Sequence, residues 1–425
     1  MWNMGFAARP IVPSDLLRKT YYMSGYGPNK PITGIRDPLY VRVLILAAGD
    51  TSLAFCAYDL TGLSYQDGLA IRNAVMAACP GLTNVLLFFT HSHAAIDTMG
   101  LWGDIERGIS GRSEAYLSFL CDATVQTAVE AYARQQPGRA YFSQKTVHGV
   151  VGDTRLPYVS DHRLSQFRFE TESGSGIRLL HFTCHPEMLE SKNTLLSADF
   201  VGTMLGKIEQ DSKDACLFIN GAVGGMQSGL PQYDKEGNPL SPDETTTVIG
   251  KVLAKAALSA AFEQEIPPSL SYWKSNICLP VENSAFLSAA AMGLVPQEEF
   301  AHGCKESEVG LLRIGGISIA CLPGELFTEL AIGGFLSDKD CAVPGKPLET
   351  TVSEILGKDS LVFGLCNDEI GYILPENDFY LDPDAPYVAR GIDRHGRRHY
   401  EETNSLGPQT ARRILEALEE LAEHA

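Results

Sequence analysis

Two histidines separated by one residue, His91 and His93, close an apolar run, Val85-Leu86-Leu87-Phe88-Phe89. The run reads as a buried strand. Small and turn-prone residues follow, among them Ala94, Ala95, Asp97, Thr98 and Gly100. The histidines therefore sit where a strand hands over to a loop, a place where α/β proteins put their chemistry. A spacing of two on an extended chain points both imidazoles to one face, which suits gripping a single metal ion or reactive atom. The same residues also serve as polar strand caps that bond backbone, and the pair alone leaves both readings open.

Three further apolar strands end in residues that could share a site. In Leu179-Leu180-His181-Phe182-Thr183-Cys184-His185-Pro186, the side chains of His181, Thr183 and His185 fall on one face, and His185, at the strand end beside proline, is the better ligand candidate. Asn220-Gly221-Ala222-Val223-Gly224-Gly225 offers backbone N–H groups of the kind an anion or oxyanion cradle needs. The run Ile317–Leu322 ends in Pro323-Gly324-Glu325, a carboxylate expected at a helix start, where the helix dipole favours it with or without a function. Catalytic zinc takes three protein N/O ligands and keeps an open position. His91, His185 and Glu325 would supply such a set. No His-Glu-x-x-His stretch occurs, which excludes the helical-motif metalloproteases.

The elements that must position these residues alternate along the chain. Strands are expected over Leu39–Leu46, Ser52–Tyr58, Ala140–Val147, Leu164–Glu170, Ile177–Cys184, Ala215–Ile219, Tyr272–Leu279 and Leu361–Leu365, with two strand pieces in Leu311–Cys321. Helices are expected over Gln66–Cys79, Arg112–Gln135, Asp199–Gln210, Thr245–Gln264 and Arg412–Ala422. The alanine-rich Ser284–Glu298 reads as a packed helix or as a substrate-covering element, and Met226–Asp243 and Asp382–Arg398 as irregular. This interleaving predicts an α/β (mixed α+β) fold with the site at strand ends, organised as one large catalytic unit over residues 1–425.

The 425 residues are ample for a large buried core, and 44% hydrophobic with 20% charged residues is a globular balance. A net charge of -18 without lysine or arginine runs argues against nucleic-acid partners and against electrostatic docking on anionic membranes. No basic, apolar leader is visible at Met1-Trp2-Asn3-Met4-Gly5-Phe6, and no apolar run approaches a membrane span. The ten cysteines lack paired spacing and read as reduced residues of a cytoplasmic protein.

Several segments resemble, in order, the catalytic domain of the neutral/alkaline non-lysosomal ceramidases and their small bacterial relatives. Gly34-Ile35-Arg36-Asp37-Pro38-Leu39-Tyr40 resembles the family's N-terminal stretch, and Thr90-His91-Ser92-His93 its THTHSGPGG segment. His185-Pro186 with Ser197-Ala198-Asp199-Phe200-Val201-Gly202 is similar to its second-histidine region. Asn220-Gly221-Ala222-Val223-Gly224 resembles its NxGD loop, and Pro323-Gly324-Glu325 its PGE. Gly364-Leu365-Cys366-Asn367 with Gly371-Tyr372-Ile373 is similar to its GLxNxYxxYI, and Tyr400-Glu401-Glu402 with Leu406-Gly407-Pro408 to its tyrosine-glutamate and GP ending. The resemblance implies one Zn2+ held by His91, His185, Glu325 and Tyr372, with His93 assisting beside the metal and Arg155 and Tyr400 contacting substrate. Asp97 or Asp199 could orient a histidine, or could simply cap a loop or helix.

What the resemblance implies for activity is zinc-dependent hydrolysis of an amide, N-acylsphingosine or a related N-acyl amide, by metal-activated water. The partner is then a small-molecule or lipid amide. Two departures open alternatives. After the histidine pair the chain reads Ala94-Ala95-Ile96-Asp97-Thr98, and where the family has GDVS it reads Gly224-Gly225-Met226-Gln227. The C-terminal immunoglobulin-like domain of the larger ceramidases is not expected. A zinc hydrolase of a different soluble amide or ester, and a non-catalytic metal-binding relative, are the competing readings. The oligomeric state is not legible.

Overall fold

The structure, a computed structural model, describes residues 1–225, 227–260 and 264–425. Its centre is a nine-stranded sheet in the order Ala215–Asn220, Gly176–Phe182, Arg163–Thr171, Gln136–Thr146, Trp2–Pro10, Tyr40–Ala48, Thr51–Tyr58, Asn84–Phe89, with Gln264–Ile266 paired to Gln136–Thr146. The outermost pair at each end is parallel and the pairs between are antiparallel. The Trp2–Pro10 strand, at the middle of this sheet, was not expected from the sequence. Its apolar residues are too interspersed with Gly5, Arg9 and Pro10 to announce a strand, and pairing on both edges supplies what local pattern lacks.

Both faces of the sheet are covered, so its strands carry apolar side chains at successive positions. Val41, Val43 and Ile45 face the helices Tyr65–Ala78 and Glu114–Ala133, while Leu44 and Leu46 face the other way. There they meet Leu312, Ile319 and Phe363 of a second, four-stranded sheet formed by Leu270–Pro280, Cys304–Ile314, Ile317–Cys321 and Leu361–Phe363. The outer face of the second sheet packs on the closing helix Thr410–His424 through Leu311, Ile414 and Leu418. Helices Asp199–Ser212 and Pro242–Leu258 cover the far end of the main sheet. The result is a mixed α/β fold, layered helix, sheet, sheet, helix.

The main sheet curls until its two end strands meet. The Asn220 amide donates to Thr90 O (2.9 Å) and to Cys184 O (2.9 Å), tying the ends of three strands together. Residues 364–367 close the gap, with Gly364 N donating to Asn220 O and Asn367 N to Leu87 O. This closure, invisible in any local pattern, brings the loop after Phe89 beside the loop after Phe182.

Several expectations are corrected. Pro323-Gly324-Glu325 does not open a helix. Gly324 lies at φ +59°, and Glu325–Leu326 forms a short strand parallel to Tyr372–Ile373, with the helix delayed to Thr328–Ile332. Ser284–Glu298 is helical only over Ser284–Ala291, stopped by Gly293 at φ +72° and Pro296, and a 3-10 turn over Gln297–Gly303 follows. The helix expected to Gln264 ends at Leu258; residues 261–263 of that reading lie outside the described residues, as does Met226 of the altered loop. The reading of all cysteines as reduced fails at Cys278 and Cys304. They lie on neighbouring antiparallel strands with Cα atoms 5.7 Å apart and form a disulfide at the neck of the 279–303 excursion. The other eight are unpaired. Among the described residues, no helix is long and apolar enough to cross a membrane.

Candidate metal centre

His91 follows the Asn84–Phe89 strand in a left-handed conformation, φ +69°, which a non-glycine residue adopts only against a steric cost. The reading of an extended His-x-His is therefore wrong in detail. The two imidazoles still converge, with centroids 5.1 Å apart, because the backbone turns at His91. The His91 Nδ1 lies 2.8 Å from Thr61 O. A carbonyl only accepts, so Nδ1 carries the proton and Nε2 presents its lone pair, the arrangement usual for a metal-binding histidine. That Nε2 faces Glu325 Oε2 at 3.4 Å. The same oxygen lies 2.8 Å from His185 Nε2.

Three buried donor atoms from three strand ends thus meet at one point. Two ligand atoms on one tetrahedral zinc, each about 2.1 Å from it, stand roughly 3.4 Å apart. The His91–Glu325 separation has that length, and the His185–Glu325 separation is a hydrogen bond that an ion would open slightly. The residues fit a metal. Glu325 pairs in parallel register with Tyr372, which sets that phenol beside the carboxylate. Burial and then the Glu325 charge push the Tyr372 hydroxyl well above its ordinary value. Burial opposes charge on His91 and His185, yet the Glu325 carboxylate outweighs it and pulls both imidazoles up. In turn they hold Glu325 well below the carboxylate range against its own burial. The pocket is wired for positive charge beside Glu325.

His93 lies close enough to form a second possible donor set, since one ring nitrogen each of His91, His93 and His185 fall within 4.8 Å of one another. The His93 ring packs edge-on to Tyr26, and its Nδ1 lies 3.5 Å from Glu187 Oε2. Burial pushes the imidazolium down to about 3 against the pull of Glu187, so the ring is neutral at pH 7. Gly25, at φ +96°, leaves no alternative residue here: a Cβ would lie 2.4 Å from the His93 ring.

A cavity of about 720 Å³ opens above these groups. His91, His93, Glu325, Glu369, Tyr372 and Tyr400 line its polar end, and Met99, Trp102, Phe286, Val295, Phe300 and Ile370 give it an apolar wall. His185 lies beneath, fully buried. Part of the Ser284–Glu298 stretch thus lines the cavity.

Arg155 is not among the lining residues. Its guanidinium donates to Glu401 (2.6 Å), Glu402 (2.9 Å) and Asp378 (3.0 Å) and stacks over Phe327. Burial works against its charge, but Glu402, Glu401 and Asp378 together push it well above the ordinary range. The Asn220 loop supplies no open cradle at two of its N–H groups: Gly221 N bonds Asn220 Oδ1, and Gly224 N bonds Leu326 O. Asp97 accepts from the backbone of Met99, Gly100 and Trp102, and Asp199 from Leu189 and Phe200, so both hold loops.

Two carboxylates at the site escaped the sequence reading. Glu187 stands two residues after His185, in a His-Pro-Glu whose alternation was the available signal. Glu369 stands three before Tyr372, at the position where the GLxNxYxxYI pattern has a tyrosine.

No protein-family profile matches the chain, and no curated protein does. Solved structures do. The neutral ceramidase from Pseudomonas aeruginosa aligns with a TM-score of 0.74 at 17% identity, over 100% of this chain and 75% of that one. A ceramidase complexed with C2 aligns with the same TM-score, identity and coverage. The chain has the neutral-ceramidase fold.

Proposed function

We propose that the protein is a zinc-dependent hydrolase of N-acyl amides, acting on N-acylsphingosine or a close relative, with residues 1–425 as one catalytic unit. The observation that carries this is the convergence of His91 Nε2, His185 Nε2 and Glu325 Oε2 at the polar end of an apolar-walled cavity. The ligands are His91, His185, Glu325 and Tyr372. When bound there, zinc supplies Lewis-acid polarisation and a water acidified to about pKa 7. His93, neutral and facing the cavity, carries the proton toward the leaving nitrogen. Glu187 Oε2, 3.5 Å from His93 Nδ1, would pair with the ring once it takes up a proton. The Tyr400 hydroxyl, its ring 6.4 Å from that of Tyr372, steadies the substrate's polar end. Arg155 acts at one remove, holding Glu401 and with it the backbone that presents Tyr400.

A second reading, hydrolysis of a more soluble amide, is favoured by Arg390. This arginine is exposed, lines the cavity, stacks over Tyr400 at 4.7 Å and has no ion-pair partner among the described residues. It would suit an N-acyl amide that carries a carboxylate. Eight unpaired cysteines support a cytoplasmic address, and the Cys278–Cys304 bridge weighs against it.

The test is hydrolysis of N-acylsphingosine, an N-acyl amino acid and an uncharged acyl anilide by the metal-replete protein, with and without a chelator. Turnover of N-acylsphingosine that is lost on chelation and restored by zinc is the expected result. Preference for the N-acyl amino acid selects the second reading, and no turnover of any acyl amide sinks both.

A further inference from the structure

The pocket contains a carboxylate for which the four ligands above leave no role. Glu369 Oε1 accepts from Gly371 N at 2.7 Å, which fixes the group's orientation. Glu369 Oε2 is buried and has no hydrogen-bond partner. Lys305, which lines the same cavity, does not serve it: its Nζ is held by Glu299 (2.5 Å) and Asp368 (3.2 Å). A buried carboxylate oxygen without a partner is costly unless the group keeps its proton or a bound ion or water supplies the partner.

Its surroundings say what that partner is. Glu369 Oε2 lies 3.9 Å from His91 Nδ1, and one ligand atom each from His91, Glu325 and Glu369 fall within 4.8 Å of one another. Ligands at about 2.1 Å from one ion span at most roughly 4.2 Å, across an octahedron, so small shifts place all three on a single ion. Thr61 and Gly62 build both sides of this arrangement. The Thr61 carbonyl orients His91, and Gly62 leaves room for the Glu369 stem, since a Cβ there would lie 2.4 Å from Glu369 Cβ.

We infer that Glu369 is a further ligand of the ion held by His91, His185 and Glu325, so that the centre is a two-imidazole, two-carboxylate site accommodating coordination numbers above four. This rests on the reading of the pocket as a metal centre. It predicts that the site takes octahedral-preferring ions such as Mn2+ and Co2+ as readily as zinc, since oxygen-rich sets and higher coordination suit those ions.

Co2+ added to chelator-stripped protein is the probe, read by visible absorption and by calorimetric affinity. The wild-type protein is expected to give the weak bands of five- or six-coordinate cobalt. Glu369→Gln should lower the coordination number, and so shift and intensify these bands, and weaken binding by more than about 10-fold, the lower end of what loss of even an indirect partner costs. Glu369→Asp, which keeps the charge but shortens the reach, should weaken binding by less, and it carries the test if the glutamine variant does not fold. Unchanged spectra and affinities within about 3-fold in the folded variants overturn the role of Glu369 while leaving the metal centre intact. A wild-type protein that binds no Co2+, Zn2+ or Mn2+ overturns the metal reading itself.

Discussion

Two buried clusters of charge, one around Arg155 and one around His91, are satisfied in opposite ways. Around Arg155, a guanidinium meets Asp378, Glu401 and Glu402, and His399 Nδ1 adds a bond to Glu402 at 2.7 Å. The acid groups have their cation, and the cluster does not line the cavity. Around His91, donor atoms with lone pairs or negative charge face one another. His91 Nε2, His185 Nε2 and Glu325 Oε2 converge, Glu369 Oε2 lacks a partner, and the cavity opens onto them. Each cluster contains residues that the resemblance placed at the active site, Arg155 in the first and His91, His185 and Glu325 in the second. The difference is where the neutralising charge comes from: the first contains its own, and the second leaves Glu369 Oε2 without a partner. Burial of charge therefore does not mark a functional centre by itself, whereas burial of unmatched donor atoms beside an open cavity does.

Breaking the second cluster should have the largest effect on function. His91→Ala is expected to lose bound metal and to lower turnover by about 10³-fold or more, because metal polarisation supplies several kcal/mol of transition-state stabilisation. His93→Ala should retain metal and lose roughly 10²–10⁴-fold in kcat, as removal of a proton carrier does. Metal analysis alongside kcat for the two variants checks the pair, and equal metal loss in both would return His93 to the ligand set.

Breaking the first cluster should act on stability instead. Arg155→Met leaves the carboxylates of Asp378, Glu401 and Glu402 buried without their cation, a change that costs about 3–5 kcal/mol in comparable cases. Denaturant unfolding should show that loss while metal content per folded molecule stays at the wild-type level. Loss of metal without loss of stability would mean that the two clusters are not separable.

The smallest effect sharpens the contrast within the first region. Burial, and then the neighbouring Asp153 carboxylate, push Glu329 up to about 8. Its folded form holds a proton that the unfolded chain releases near 4.5, so its contribution to stability is complete below that pH and is lost as pH rises toward 8. Melting temperatures of wild type and Glu329→Gln, compared from about pH 5 to about pH 9, should show a flatter profile for the variant. Parallel profiles would mean that Glu329 titrates normally.

The strand that carries His91 was legible because Val85–Phe89 is apolar without a break, and a strand buried on both faces has to be. The alternating class, the strand-end location of His91 and His185, and the helix over Gln66–Cys79, capped in the structure by Ser64, followed from equally local signals. Glu325 was identified as a residue but not as a strand, because its conformation is imposed by Gly371 and Tyr372, some fifty residues on. Glu369 was missed for the same kind of reason: an acid in a loop has no local signature until the fold removes its solvent and places His91 beside it. The sequence by itself determined which side chains could bind a metal and that they end strands. Only the tertiary structure decided which of them meet, because the sheet's curl, fastened by Asn220, joins strands that share no local pattern. It also decided that Arg155 finds its partners inside the fold and that Glu369 does not.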